Sequence, residues 1–164
     1  MPLAETVTYL EMNSREELRP SSAMVKVCRR YERNAGFSRS LYADVGGAYN
    51  WVERSNWTDD QWLERLASPD VETWLACHAG DMAGFFELEM QDGGNVEIVY
   101  FGLLPQSVGH GLGGAMLTAA VQRAWDMGAS RVWLHTSSLD HPHALPNYRA
   151  RGFRVYKREY IPGS

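Results

Sequence analysis

The sequence predicts a mixed α+β domain, and two observations lead there. Three strand-like segments, 71–78, 82–90 and 96–104, turn at Ala79-Gly80-Asp81 and at Asp92-Gly93-Gly94, the pattern of an antiparallel meander. Helix-periodic segments lie before and after this meander instead of alternating with every strand, so a regular parallel βαβ array does not fit.

Taken in order, residues 7–12 are expected to form a first strand and 23–29 a second. A helix over 34–45 should end at Gly46-Gly47, where glycine accepts the left-handed conformation of a helix stop. Thr58 followed by Asp59, Asp60 and Gln61 is a capping box, starting a helix that runs to about Ala67. After the meander, 112–127 places Leu112, Met116, Leu117, Ala120, Val121 and Ala124 on one helical stripe. Residues 131–136 make a strand. A short helix follows over 141–151, with Pro142 in its first turn and Asp140 or His141 as its cap. The last strand is expected at 153–160.

With 164 residues, no internal repeat and no linker-like tract, the chain is expected to be one domain over 1–164. The N-terminal MPLAETVTYLEM lacks a basic region followed by an apolar core, and no apolar run approaches a membrane span. Cys28 and Cys77 lack metal-ligand spacing and lie in apolar, strand-like surroundings, which suggests buried thiols. A soluble, cytoplasmic protein without a membrane partner is expected. The net charge of −4 argues against nucleic acid as a partner. Its distribution says more. Residues 1–104 hold 9 Lys/Arg against 17 Asp/Glu, whereas 105–164 hold 7 against 3. A polyanionic ligand suits the basic third, and a cationic second substrate suits the acidic remainder.

That basic third opens with Val108-Gly109-His110-Gly111-Leu112-Gly113-Gly114. Gly109, Gly111 and Gly114 spell G-x-G-x-x-G, the dinucleotide fingerprint. That fingerprint wants its glycines tight against the strand and an acidic residue about 20 positions on, at the end of the next strand. Here Pro105, Gln106 and Ser107 intervene, and the next strand ends near Thr136 with Asp140 beyond it. Too few residues follow for a full nucleotide-binding sheet, so the dehydrogenase reading is set aside. A strand running through a glycine turn into a helix start can still cradle a different pyrophosphate, on unpaired N–H groups at the positive end of the helix dipole.

The run from Val96 to Pro105, followed by VGHGLGGAML, resembles the acetyl-CoA-binding motif of the GCN5-related N-acetyltransferase (GNAT) superfamily. Val108-x-x-Gly111-x-Gly113 occupies [R/Q]-x-x-G-x-[G/A], with Val108 where Arg or Gln is usual. Ala144-x-x-x-Tyr148-x-x-x-Gly152-Phe153 is similar to the family's A-x-x-x-Y-x-x-x-G-F, with His141 replacing a usual Asn. The resemblance implies the GNAT fold, a mostly antiparallel central sheet splayed at the cofactor site and flanked by helices. It also implies acetyl transfer from acetyl-CoA directly onto an amine of a small molecule or peptide. Homodimerisation, common in the superfamily, is compatible with it.

The same resemblance implies roles for particular residues. Phe101, Gly102 and Leu103 would pair with the pantetheine arm like an added strand. The amides of Gly109, His110, Gly111, Leu112, Gly113 and Gly114 would hold the pyrophosphate, and Asn147 would touch the cofactor. Tyr148 would give a proton to the leaving thiolate or hydrogen-bond its sulfur. A primary amine, with a pKa of about 10.4, must lose a proton before it attacks. Glu97 is the leading candidate for the base, with Glu87, Glu89, His135 and His141 as rivals.

Asp140-His141-Pro142-His143 and His135 lack the further ligands a metal site needs, so no metal is expected. Tyr42, Tyr49, Trp51 and Trp57, with Glu53, Asp59 and Asp60, could shape a pocket for a cationic acceptor. The departures at Val108 and His141 leave a second reading, a non-catalytic acyl-CoA-binding or regulatory domain of the same fold.

Overall fold

The computed structural model describes residues 2–164. Seven strands form one sheet: β1 (Glu5–Met12), β2 (Lys26–Arg30), β3 (Val71–His78), β4 (Asp81–Gln91), β5 (Asn95–Leu103), β6 (Arg131–Ser137) and β7 (Arg154–Ile161). Their spatial order is β2-β3-β4-β5-β6-β1-β7. Every neighbouring pair is antiparallel except β5 and β6. The helices are α1 (Ala35–Gly46), α2 (Asp59–Ala67), α3 (Leu112–Asp126) and α4 (Ala144–Ala150). This is the α+β architecture expected, with the β3–β4–β5 meander running from beside the β2 edge to the central strand β5.

Alternation along β4 separates two cores. Phe86 joins the larger one, where Leu10, Met12, Leu88 and Val132 meet the apolar stripe of α3. Its neighbour Phe85 points the other way, into a cluster with Leu41 and Val45 of α1. Further along that face, Tyr42 of α1 packs with Trp62 of α2. The six residues expected on the α3 stripe are all buried, joined by Ala115, Thr118 and Trp125.

Local chemistry sets the helix starts. Asn34 caps α1 by accepting from the Phe37 N–H at 2.9 Å. Thr58 and Gln61 form the reciprocal capping box at α2.

Several boundaries and side-chain environments differ from the sequence expectation. Strand β2 starts at Lys26, later than expected. The glycines after α1 stay right-handed, and the left-handed residue is Asn50, with φ 63°. Gly46 is required for space, because a Cβ there would overlap the Trp51 ring. Helix α4 begins at Ala144, beyond Pro142. Asp140 instead closes the turn after β6, accepting from the Thr136 hydroxyl and from the Ser137 N–H. The thiols are free but not buried as expected: Cys28 is exposed on β2 and Cys77 is half-buried.

Phe86 has no exposed surface and anchors the larger core. Phe86→Ala is expected to lower the unfolding free energy by about 3–5 kcal/mol in urea denaturation.

Candidate active site

The site begins where two strands part. β5 and β6 pair in parallel at Asn95 with Arg131, Val96 with Val132 and Glu97 with Trp133, and no further. On the other side of β5, Leu88 pairs with Ile98 and Glu87 with Tyr100, leaving Val99 as an extra residue. Such a bulge bends its strand and increases its twist. Close packing against α1 follows at Gly102, where a Cβ would overlap Val45 Cγ1. The gap between the strands opens into a cleft of about 860 Å³.

The glycine loop forms one end of that cleft. Gly109 and Gly111 have φ of 90° and 72°, values that L side chains rarely adopt. Gly111 is the N-cap of α3 and offers no side-chain acceptor, so the first-turn N–H groups of this 15-residue helix lack a capping oxygen. Asn147 and Arg151 approach from the α4 side, within 3.5 Å and 3.1 Å of where Cβ atoms on Gly113 and Gly114 would lie. Arg151 Nε is buried without a hydrogen-bond partner among the described residues.

The cleft brings together Phe101, Gly102, Leu103, Gly109, Gly111, Leu112, Gly113, Gly114, Asn147 and Tyr148. His110 is exposed and lies outside the lining, and so does Glu97, which is buried. Tyr148 is 7% exposed and its ring lies 6.0 Å from that of Phe101. Burial pushes its phenol above the ordinary tyrosine value, so it stays protonated at neutral pH.

The other wall comes from the segment after α1. Tyr49, Trp51 and Glu53 line the cleft, whereas Tyr42, Trp57, Asp59 and Asp60 do not. The Tyr100 hydroxyl donates to Glu53 at 3.1 Å. Arg54 fastens this segment to the sheet, through two bonds of 2.8 Å to the Glu87 carboxylate. Its guanidinium also lies 4.6 Å from the Tyr100 ring centre and 4.4 Å from that of Trp57. Glu87 takes a second cation, Arg65, which also binds Glu89. Burial raises the Glu87 pKa, but the two arginines outweigh it and hold the carboxyl below its ordinary value.

Glu87 and Glu89 are thus occupied as ion-pair partners, which removes two of the rival bases. Sequence reasoning missed Arg54. Its one readable signal is a pair of glutamates, Glu87 and Glu89, inside the apolar strand GFFELEM, which call for buried cations.

The sequence profile of the Acetyltransferase (GNAT) family matches residues 39–153. The chain belongs to this family. A mycothiol acetyltransferase from Corynebacterium aurimucosum is 37% identical over 88 residues, covering 54% of this chain and 25% of that protein. A GCN5-related N-acetyltransferase from Sphaerobacter thermophilus superposes with TM-score 0.67 at 16% identity, over 98% of this chain and 51% of that one. An acetyltransferase from Bacillus subtilis, solved in complex with CoA, gives TM-score 0.62 at 22% identity, covering 81% and 78%. The chain thus spans a quarter of the curated relative and about half of the Sphaerobacter chain. These neighbours share the fold of this chain. Among the described residues of this GNAT chain, no helix is long and apolar enough to cross a membrane.

Arg54→Ala would leave the Glu87 carboxylate buried with one partner fewer. It is expected to cost about 3–5 kcal/mol of stability in thermal or urea unfolding. Glu87 sits below its usual 4.5 in the folded state, so its stabilisation is present above that pH and is lost on further acidification. Unfolding free energy measured between pH 6 and pH 3 should therefore fall less steeply in Glu87→Gln than in the parent, from a lower starting value.

Proposed function

We propose that this chain transfers the acetyl group of acetyl-CoA onto an amine. The observation that carries the reading is the coincidence of three features at one place: a gap between parallel strands, an uncapped helix start, and a buried tyrosine between them.

Each feature answers a requirement of the co-substrate. The free backbone groups of 101–103 along the gap suit a pantetheine arm added as a strand. The α3 amides at Gly111 to Gly114 suit a pyrophosphate, with the Arg151 guanidinium beside Gly114 adding positive charge on the α4 side. Val108, where the family usually carries Arg or Gln, leaves the backbone donors untouched. Tyr148 borders the gap next to Phe101, placing a protonated phenol where a departing thiolate needs a hydrogen bond or a proton.

The acceptor side supports an amine. Glu5, Glu53, Asp140 and Glu159 line the cleft with aromatic residues including Tyr49 and Trp51, and no Lys or Arg is among the lining residues described. Such a wall attracts an ammonium group and holds its apolar neighbours. Once the ammonium has given one proton to a base, the amine attacks the thioester carbonyl, the C–S bond breaks, and the nitrogen loses its second proton towards the thiolate. The kinship with a mycothiol acetyltransferase favours acetyl transfer over a purely binding role.

Calorimetric titration should give acetyl-CoA binding and none for NADH. Gly111→Val, which forces a branched side chain into a left-handed backbone, is expected to weaken acetyl-CoA at least about tenfold. Tyr148→Phe should retain acetyl-CoA binding and slow CoA release in the presence of an amine by about 100-fold. Absence of acetyl-CoA binding by the parent protein would overturn the reading.

A further inference from the structure

Glu97 is the buried carboxylate nearest the parting of β5 and β6, yet it does not line the cleft. Of the other candidates His135 and His141 do, and His135, two positions after Trp133, the last residue of β6 paired to β5, is the one beside Glu97. It therefore stands on the lip of the gap, with its Nε2 3.7 Å from the Glu97 carboxylate. We infer that His135 is the base that deprotonates the acceptor ammonium, and that Glu97 is its positioning residue. The inference rests on the acetyl-transfer reading above.

Neighbouring side chains fix the arrangement. Gln91 donates to Glu97 at 2.8 Å and to Glu89 at 3.0 Å, while its own oxygen accepts from the Trp133 indole at 3.0 Å. One carboxylate oxygen of Glu97 is thereby committed to Gln91, and the other faces His135. On the far side, the Tyr9 ring lies 5.6 Å from the imidazole. Lys157 lies over Tyr9, 4.9 Å from its ring centre. Charged groups near His135 include Glu97 from β5 and, beyond Tyr9, Lys157 from β7; Glu5 of β1 and Glu159 of β7 line the same cleft, and Arg65 and Glu89 act on Glu97 from behind.

This geometry divides the work. A carboxylate desolvated by burial gains from a cation beside it, and burial is the main cause that raises the Glu97 pKa above its ordinary value. When the imidazole takes a proton through the nitrogen turned from Glu97, an imidazolium forms next to that carboxylate and is stabilised by it. The proton balance is simple. The acceptor R–NH3+ gives one proton to His135, and its free amine attacks the acetyl carbonyl. The C–S bond breaks, and the second proton passes from nitrogen to the thiolate by way of Tyr148. His135 returns its proton to solvent after the amide leaves. Glu97 never meets the substrate.

The test compares two probe nucleophiles by CoA release: 1,4-diaminobutane, an ammonium at neutral pH, and hydroxylamine, already unprotonated there. His135→Gln should lower kcat/KM for diaminobutane by about 100-fold or more and leave hydroxylamine within about threefold. Glu97→Gln should have a smaller effect, about tenfold, with the acidic limb of the diaminobutane pH profile displaced and acetyl-CoA binding retained. Equal losses with both nucleophiles, or none with diaminobutane, would overturn the assignment while leaving acetyl transfer standing.

Failure of the parent to bind acetyl-CoA would instead remove the underlying reading.

Discussion

Three residue pairs hold β5 to β6, and the cleft depends on there being no fourth. Beyond Glu97 and Trp133 the strands separate, and α3 fills the larger core beneath them with an apolar stripe reaching from Leu112 to Ala124. The extra residue at Val99 and the tight approach of Val45 to Gly102 keep β5 on its own course. A continuous parallel pair would seal the gap and bury the backbone groups that now face the cleft. The same parting aims α3 at the opening, since the chain leaving β5 must cross the gap before it can turn into the helix. Strand geometry thus sets cleft, helix start and Tyr148 together.

Much of this could be read from residue order alone. The meander, the α3 stripe and the capping box at Thr58 follow from short-range rules, in which spacing dictates the outcome. The glycine loop was legible because its backbone conformation demands the residue type. Less visible were contacts that depend on register across the sheet. Glu97 and His135 are far apart in sequence and meet only because β6 pairs in parallel with β5 at three positions. Gly46 illustrates the opposite error: a glycine after a helix suggests a left-handed stop, but the Trp51 ring packs where its Cβ would be, and Asn50 makes the turn instead. Asp140 was likewise drawn away from α4 by nearer donors at Thr136 and Ser137.

A line of polar side chains runs along the α1–α2 face from the cleft wall at Trp51 and Glu53 to the gap. Arg54, Glu87, Arg65, Glu89, Gln91 and Glu97 are linked in turn by hydrogen bonds between 2.5 and 3.2 Å. Burying so many charges is costly unless each is paired, and here each has at least one partner. The segment carrying Trp51 and Glu53 is therefore fixed to the same framework that holds Glu97. One end of this network carries the cleft wall at Trp51 and Glu53 and the other holds the carboxylate beside His135, so the separation of the two is set by the fold itself.

The sheet also has two outer edges, and their composition has a consequence for how the molecule meets other chains. β7 carries Arg154, Lys157, Arg158 and Glu159 among its eight residues, and β2 carries Lys26, Arg29 and Arg30 among its five. Charged side chains at such density discourage a foreign strand from docking there. The inner rims of the gap, formed by residues 98–103 of β5 on one side and by His135 and Thr136 of β6 on the other, carry no such run of charge. Charge on the two outer strands thus guards the sheet against edge-to-edge pairing, and the interior opening between β5 and β6 is left without it.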